Sequence, residues 1–304
     1  MVKKNLTRRQ FVSTVTVGAG TILLGNSVNA FSTRTTSLST NPLQVVKMGN
    51  STIKSTLLGI GTGFSGFNRS SNITRAGVAE KVIRHAYERG IRLFDTADSY
   101  GTHPFTAAAL KGIPREDYTL VSKMWLTPGG IPDKDRGDAD LTVERFRKEL
   151  QTDYIDLVQI HCMTDADWTE KYKKQMDILE DLKSKQIIHN HGVSVHSLEA
   201  MEACVGNPWI DVIHVRVNPY GETMDKKDPA LVIPVIEKLH KEGKGVIGMK
   251  LIGDGKYKDD SEKINNTIKY VLGLGTVDNI IIGFEAPEQI DNYIGRLEAA
   301  LKSL

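Results

Sequence analysis

The chain has 304 residues, 40% hydrophobic and 25% charged, with 39 Lys and Arg against 37 Asp and Glu. That is the composition of an ordinary globular protein with a large core, and the near-balanced charge, without a basic run beyond the first ten residues, argues against a nucleic acid partner. Cys162 and Cys204 make neither a disulfide framework nor a metal-binding spacing, so both read as free thiols, and nothing beside Cys162 marks it as a thiolate.

Residues 1–30 read as an export signal. Lys3, Lys4, Arg8 and Arg9 precede an uncharged run from Val12 to Gly25, and Val28-Asn29-Ala30 offers a small-residue cleavage site. The run is too short and too rich in Gly, Ser and Thr for a span of ~20 residues, so no membrane insertion of the mature chain is expected. Thr7-Arg8-Arg9-Gln10-Phe11-Val12 resembles the twin-arginine export motif, which implies a folded protein delivered to the periplasm. A Ser/Thr-rich linker follows over 31–41, and one domain is expected over 42–304.

That domain opens with a β-hairpin: Val45-Val46-Lys47-Met48, the turn residues Gly49-Asn50-Ser51, and a return through Ile53. Short apolar runs then recur at about 55–61, 91–95, 118–122, 155–160, 187–195, 211–217, 244–250 and 278–283, each followed by a longer stretch. After Asn72, for example, Ile73, Ala76, Ala79, Val82, Ile83 and Ala86 share one helical face. Similar helical stretches are predicted over about 140–150, 167–185, 229–241, 260–272 and 287–301. Eight strands alternating with helices predict an α/β fold, a (β/α)8 TIM barrel whose base the hairpin plugs, with functional residues just past the strand C-termini.

Two motifs suggest other chemistry. Gly61-Thr62-Gly63-Phe64-Ser65-Gly66 fits the G-x-G-x-x-G dinucleotide pattern, but no apolar helix periodicity starts before Ile73, and the acid expected at the end of the second strand comes some thirty residues on, at Asp95, instead of about twenty. It reads as a flexible loop after the first strand. His189 and His191 alternate on the fifth strand as metal ligands could. Parity places them opposite Ser194, which is expected at the barrel mouth, so they are expected outside it and no metal is assigned.

Four residues at strand ends carry the functional reading: Asp95, Tyr100, Lys123 and His161. A free phenol has a pKa of about 10, and a nearby ammonium favours its ionised form. Lys123 can supply that ammonium, Asp95 can hold it in place, and His161 can donate a hydrogen bond to a substrate oxygen. Such a set suits acid-assisted reduction of a carbonyl by hydride, which a cofactor has to bring because no side chain carries one.

The chain resembles the aldo-keto reductases from about Val45 to its C-terminus. The resemblance lies in Leu58-Gly59-Ile60-Gly61-Thr62, Phe94-Asp95-Thr96-Ala97-Asp98-Ser99-Tyr100-Gly101, Ser122-Lys123-Met124-Trp125, Asp153 through His161, Gly192-Val193-Ser194, and Ile282-Gly283 with Pro287-Glu288-Gln289. It implies an oxidoreductase acting on a small carbonyl or alcohol, with Tyr100 as general acid, Lys123 and Asp95 tuning it, and His161 orienting the carbonyl. It also implies a nicotinamide dinucleotide held without a Rossmann fold by Gly61, Thr62, Asp95, Ser194, His214, Lys250, Leu251, Gly253, Gly283 and Gln289. His214 stands where a glutamine is common, and Val217 is expected where an aromatic often stacks on the nicotinamide. At the 2′-phosphate positions this chain has Gly283, Phe284 and Gln289 with Glu285 nearby. The glutamine tips the choice slightly toward NADP over NAD. Phe64, Phe67 and Trp125 are expected to wall the substrate pocket. The competing reading from another class is a nicotinamide-binding barrel with weak turnover, acting as a redox sensor or partner subunit.

Overall fold

The computed structural model describes residues 39–304. The export signal and all but the last three residues of the linker lie outside the described residues. Two short antiparallel strands, β1 (Val45–Lys47) and β2 (Lys54–Thr56), come first. Eight parallel strands then close a barrel: β3 (Leu58–Gly61), β4 (Leu93–Asp95), β5 (Thr119–Met124), β6 (Ile155–Met163), β7 (Ile188–Val195), β8 (Val212–Arg216), β9 (Gly245–Met249) and β10 (Asn279–Ile282), with β10 pairing back to β3. This is the predicted TIM barrel and N-terminal hairpin. The run expected as one strand over 55–61 is divided, its beginning serving as the return arm of the hairpin.

Outside the barrel lie α1 (Asn72–Arg75), α2 (Ala79–Glu88), α3 (His103–Ala109), α4 (Ala139–Leu150), α5 (Trp168–Lys171), α6 (Lys173–Ser184), α7 (Leu198–Glu202), α8 (Pro229–Lys241), α9 (Ser261–Leu274) and α10 (Pro287–Ser303). The helix predicted after Asn72 buries the expected face, but Gly77 adopts φ +69° and splits it into α1 and α2. Asp228 and Asp260 cap α8 and α9, their carboxylates accepting the N–H of Ala230 (2.9 Å) and Lys263 (3.0 Å). No helix among the described residues is long and apolar enough to cross a membrane.

Alternation along each strand sorts the side chains. Phe94, Leu120, Val158, Ile160, Val193 and Ile213 face the helices and join one large buried cluster with Val82, Phe146, Leu179 and Ile236. The opposite parity gives a separate apolar layer inside the barrel: Leu93, Val121, Leu157, Val212 and Ile247, closed from below by Met48 and Ile53 of the hairpin connection. Gly49 in that connection has φ +50°, and a Cβ there would lie 2.4 Å from the Gly243 carbonyl oxygen, so the plug fits only with glycine. One step along the same parity toward the strand C-termini come Asp95, Lys123, Gln159 and His214. The apolar floor thus passes directly into a polar layer beneath the mouth.

His189 and His191 have the other parity, as expected. His189 stacks on Tyr154 (4.4 Å between centroids), and His191 stacks on Trp209 (4.2 Å) with its Nε2 2.9 Å from Glu180.

Candidate active site

β4 delivers Asp95 at its last residue, and the chain then makes a single 3₁₀ turn, Asp98–Tyr100, that sets the phenol over the barrel mouth. β5 delivers Lys123 on the inward face. The Lys123 ammonium donates to Asp95 Oδ1 (2.5 Å) and to the Thr96 carbonyl (2.9 Å), and it lies 5.2 Å from the Tyr100 ring centroid. His161 lies two residues before the end of β6, where the register with β7 slips. Cys162, next to it, adopts φ +63°, and its N–H, diverted from the ladder, donates to Ser194 Oγ at 2.8 Å. The slip turns the His161 ring toward Tyr100, with Nε2 3.4 Å from Oη and the rings edge to face. All four predicted residues therefore meet.

Burial sets the electrostatics. Burial alone would raise the Asp95 carboxyl, but Lys123 and His214 outweigh it and hold the group below its ordinary value. Lys123 is lowered by burial, with Asp95 opposing. Burial pushes Tyr100 well above its ordinary value, and Asp95, Cys162 and Asp254 push the same way. The Lys123 ammonium stands 5.2 Å from the ring centroid but is paired with Asp95, and burial prevails at the phenol. Tyr100 is consequently a protonated donor throughout the neutral range. His161 is driven well below its ordinary value by burial first and by Lys123 next, which makes it a neutral imidazole. Burial raises the Cys162 thiol against the pull of Arg216 and Lys250, in keeping with an unactivated cysteine.

The G-x-G-x-x-G segment finds its explanation here. A Cβ on Gly63 would lie 2.2 Å from Tyr100 Cζ, and one on Gly66 2.6 Å from Tyr100 Cδ1, so these two glycines form a flat seat for the phenol ring. Gly61 instead faces a cleft.

That cleft, about 390 Å³, runs from Tyr100 to α10 and is walled by Gly61, Thr62, Asp95, Lys250, Leu251, Gly283 and Gln289 among the predicted cofactor residues. The other three lie apart from it. Ser194 and His214 sit deeper in the barrel mouth, His214 with Nε2 3.1 Å from Asp95 Oδ1 but not aligned for a hydrogen bond. Gly253 turns away from the cleft and packs on Tyr257, where a Cβ would come within 2.3 Å. Lys250 adds no free charge, because Asp254, four residues on, pairs with it at 2.6 Å. Gln289 caps α10, its Oε1 accepting from the N–H of Glu285 (2.7 Å) and Ala286 (3.2 Å).

Phe64 lines the same cleft as Tyr100, and the chain then turns left-handed at Ser65 (φ +52°). Phe67 does meet Trp125 edge to face at 5.7 Å, and Trp125 meets His161 at 5.2 Å. Val217 joins the outward cluster with Val215, leaving Arg216 as the inward residue at the top of β8. Missed altogether were Asn292, Tyr293 and Arg296, which join Gln289 on the cleft wall. Their spacing of three, four and seven residues from Gln289 was the available signal.

The sequence profile of the Aldo/keto reductase family matches residues 58–269. A Glycine max protein named Probable aldo-keto reductase 1 is 26% identical over 222 residues, covering 70% of this chain and 60% of the relative. Methylglyoxal reductase DkgB of Salmonella typhi is 27% identical over 143 residues, covering 45% and 51%. The chain thus spans between half and two thirds of the length of these relatives. Among solved structures, an aldo-keto reductase of Bacillus halodurans in its holo form superposes with a TM-score of 0.66 at 19% identity, over 86% of this chain and 96% of that one. An aldo/keto reductase of Klebsiella pneumoniae in complex with NADP and acetate gives 0.61 at 19%, over 84% and 89%. These structural likenesses speak for the shared barrel. The profile match runs from the first barrel strand into α9 and takes in Asp95, Tyr100, Lys123 and His161: the chain belongs to the aldo/keto reductase family.

Proposed function

We propose that the protein is a nicotinamide-dependent oxidoreductase that reduces a small aldehyde or ketone to the alcohol. One observation carries this reading: the Tyr100 phenol and the His161 imidazole converge within 3.4 Å beside a cleft, near the buried Lys123–Asp95 pair. A carbonyl oxygen placed between Tyr100 Oη and His161 Nε2 is within hydrogen-bond reach of both. Tyr100 gives its proton to that oxygen as negative charge develops there. The Lys123 ammonium, fixed by Asp95 and Thr96, then stabilises the phenolate left behind. Phe67 and Trp125 hold the rest of the substrate and exclude water.

The cleft fits an extended dinucleotide. Gly61 and Gly283 let its walls approach closely, and Thr62, Leu251, Asn292 and Arg296 also line it. A nicotinamide dinucleotide bound there supplies the hydride. Arg296 and Lys258 bring cations to the cleft wall while Asn72 engages Glu285, and this supports NADP slightly over NAD. Tyr100→Phe tests the function: in a steady-state screen of aldehydes, quinones and sugars, it abolishes reduction and leaves nucleotide binding nearly intact. A Y100F protein with unchanged turnover overturns the proposal.

We further propose that residues 1–30 direct export through the twin-arginine route to the periplasm, with the nucleotide loaded before export and retained. The Arg8-Arg9 pair ahead of an uncharged run supports this reading.

A further inference from the structure

Beneath the Tyr100 turn lies a charged cluster that the proposed reaction does not use. Asp98 opens the turn and its carboxylate is 1% exposed. It accepts two parallel bonds from Arg145 of α4 (2.8 and 2.7 Å) and a third from Arg69 of the loop after β3 (3.0 Å). Arg69 also binds Asp135, in the loop after β5, at 2.8 Å, and Arg145 reaches the Asp135 carbonyl at 3.3 Å. The main chain repeats the connection. Arg69 N–H donates to the Ser99 carbonyl (2.8 Å) and Ser71 N–H to the Tyr100 carbonyl (3.1 Å).

The loop bearing Arg69 is itself strained, with Ser65, Asn68 and Arg69 all at positive φ without being glycine. Such conformations persist only where surrounding contacts over-determine them. The same loop carries the glycine seat under the phenol and Phe67 of the substrate wall. A buried ionic cluster of this kind adds little to stability over well-packed apolar residues, so its placement calls for another reason.

We propose that Asp98, held by Arg145 and Arg69, is a positioning residue: the cluster fixes the height and tilt of the Tyr100 phenol and couples it to the substrate loop through Arg69. This rests on Tyr100 being the general acid. Filling the Phe67–Trp125 side then steadies the acid, and loosening either arginine frees it.

The test uses the full-length holoprotein with Asp98→Asn, Arg145→Gln, Arg145→Lys and Arg69→Gln. Two readouts are followed: steady-state kinetics with nucleotide affinity, and amide hydrogen exchange across 66–71 and 97–101. In D98N and R145Q we expect kcat to fall ~10²-fold, the cost of an ångström-scale misplacement, with nucleotide affinity changed less than about twofold. Exchange rises in both segments and nowhere else. R145K, which restores charge without the two-pronged geometry, recovers part of the loss. R69Q, at a partly exposed arginine, raises KM for the carbonyl as well as lowering kcat, and it decides the matter should D98N fail to fold. Folded R145Q and R69Q proteins with wild-type kcat and wild-type exchange would overturn the proposal. If the wild type turns over no carbonyl, the functional reading falls, and the exchange measurement still judges the cluster.

Discussion

Replacing Gly63 by Ala adds one methyl group at the most constrained point of the site. The new Cβ would sit 2.2, 2.4 and 2.6 Å from Tyr100 Cζ, Cε2 and Cε1. Carbon atoms in ordinary contact are about 3.5–4.0 Å apart, so the ring has to retreat by roughly an ångström or more. It has little room, because His161 packs on it edge to face at 5.4 Å. Overpacking of this sort costs ~1–3 kcal/mol of stability. The catalytic cost is larger in effect, since a misplacement of about 1 Å is enough to lower turnover ~10²-fold. Gly61→Ala is the matched control: its Cβ would meet nothing closer than the Gly283 nitrogen at 3.6 Å, an ordinary contact, while projecting toward the cleft. Steady-state kinetics and nucleotide titration on both variants separate the two regions. G63A should lose kcat with nucleotide affinity retained, and G61A should weaken nucleotide binding with the smaller effect on kcat. A folded G63A protein with wild-type kcat refutes the idea that the glycine seat positions the phenol.

Acid should destabilise the fold through its buried histidines. Burial, helped by Arg216, lowers His196 to about 3, so as pH falls below the ordinary imidazole value the unfolded chain takes up a proton that the folded one refuses. Stability is therefore fully present above about pH 6.5 and declines toward pH 3. His196→Gln should flatten that decline in thermal melts, and an unchanged slope counts against it. For the nucleotide, quenching of protein fluorescence should show NADPH binding at least as tightly as NADH, and Arg296→Ala should weaken NADPH the more; NADH tighter by about tenfold or more reverses the preference. For export, cell fractionation should find the protein outside the cytoplasm with nucleotide co-purifying, and Arg8→Lys with Arg9→Lys should retain it inside. Recovery of only apoprotein, fully active on added coenzyme, argues against retention.

The barrel was legible because each strand carries its own apolar signal and because parity fixes the inward residues. Asp95, Lys123 and His161 follow from that rule, and Tyr100 from its place just past a strand end. What stayed hidden depends on contacts between distant segments. The short helices α3 and α7 lack enough turns for a periodic pattern. The pairing of Lys250 with Asp254, both in left-handed conformations at φ +59°, leaves no signal in the sequence. The glycines at 63 and 66 matched a phosphate-binding pattern, although their purpose is to make room for a ring 34 and more residues away in sequence. Asp98, Arg69 and Arg145 lie on the turn after β4, the loop after β3 and α4, and only the folded chain brings them together.

The hairpin plug has a consequence for proton traffic. Met48 and Ile53 close one end of the barrel against a ring of aliphatic side chains, so the polar layer above them faces the opposite opening. Whatever molecule occupies that opening also governs how quickly the buried ammonium and imidazoles equilibrate with bulk solvent. A tightly held guest would therefore slow that exchange.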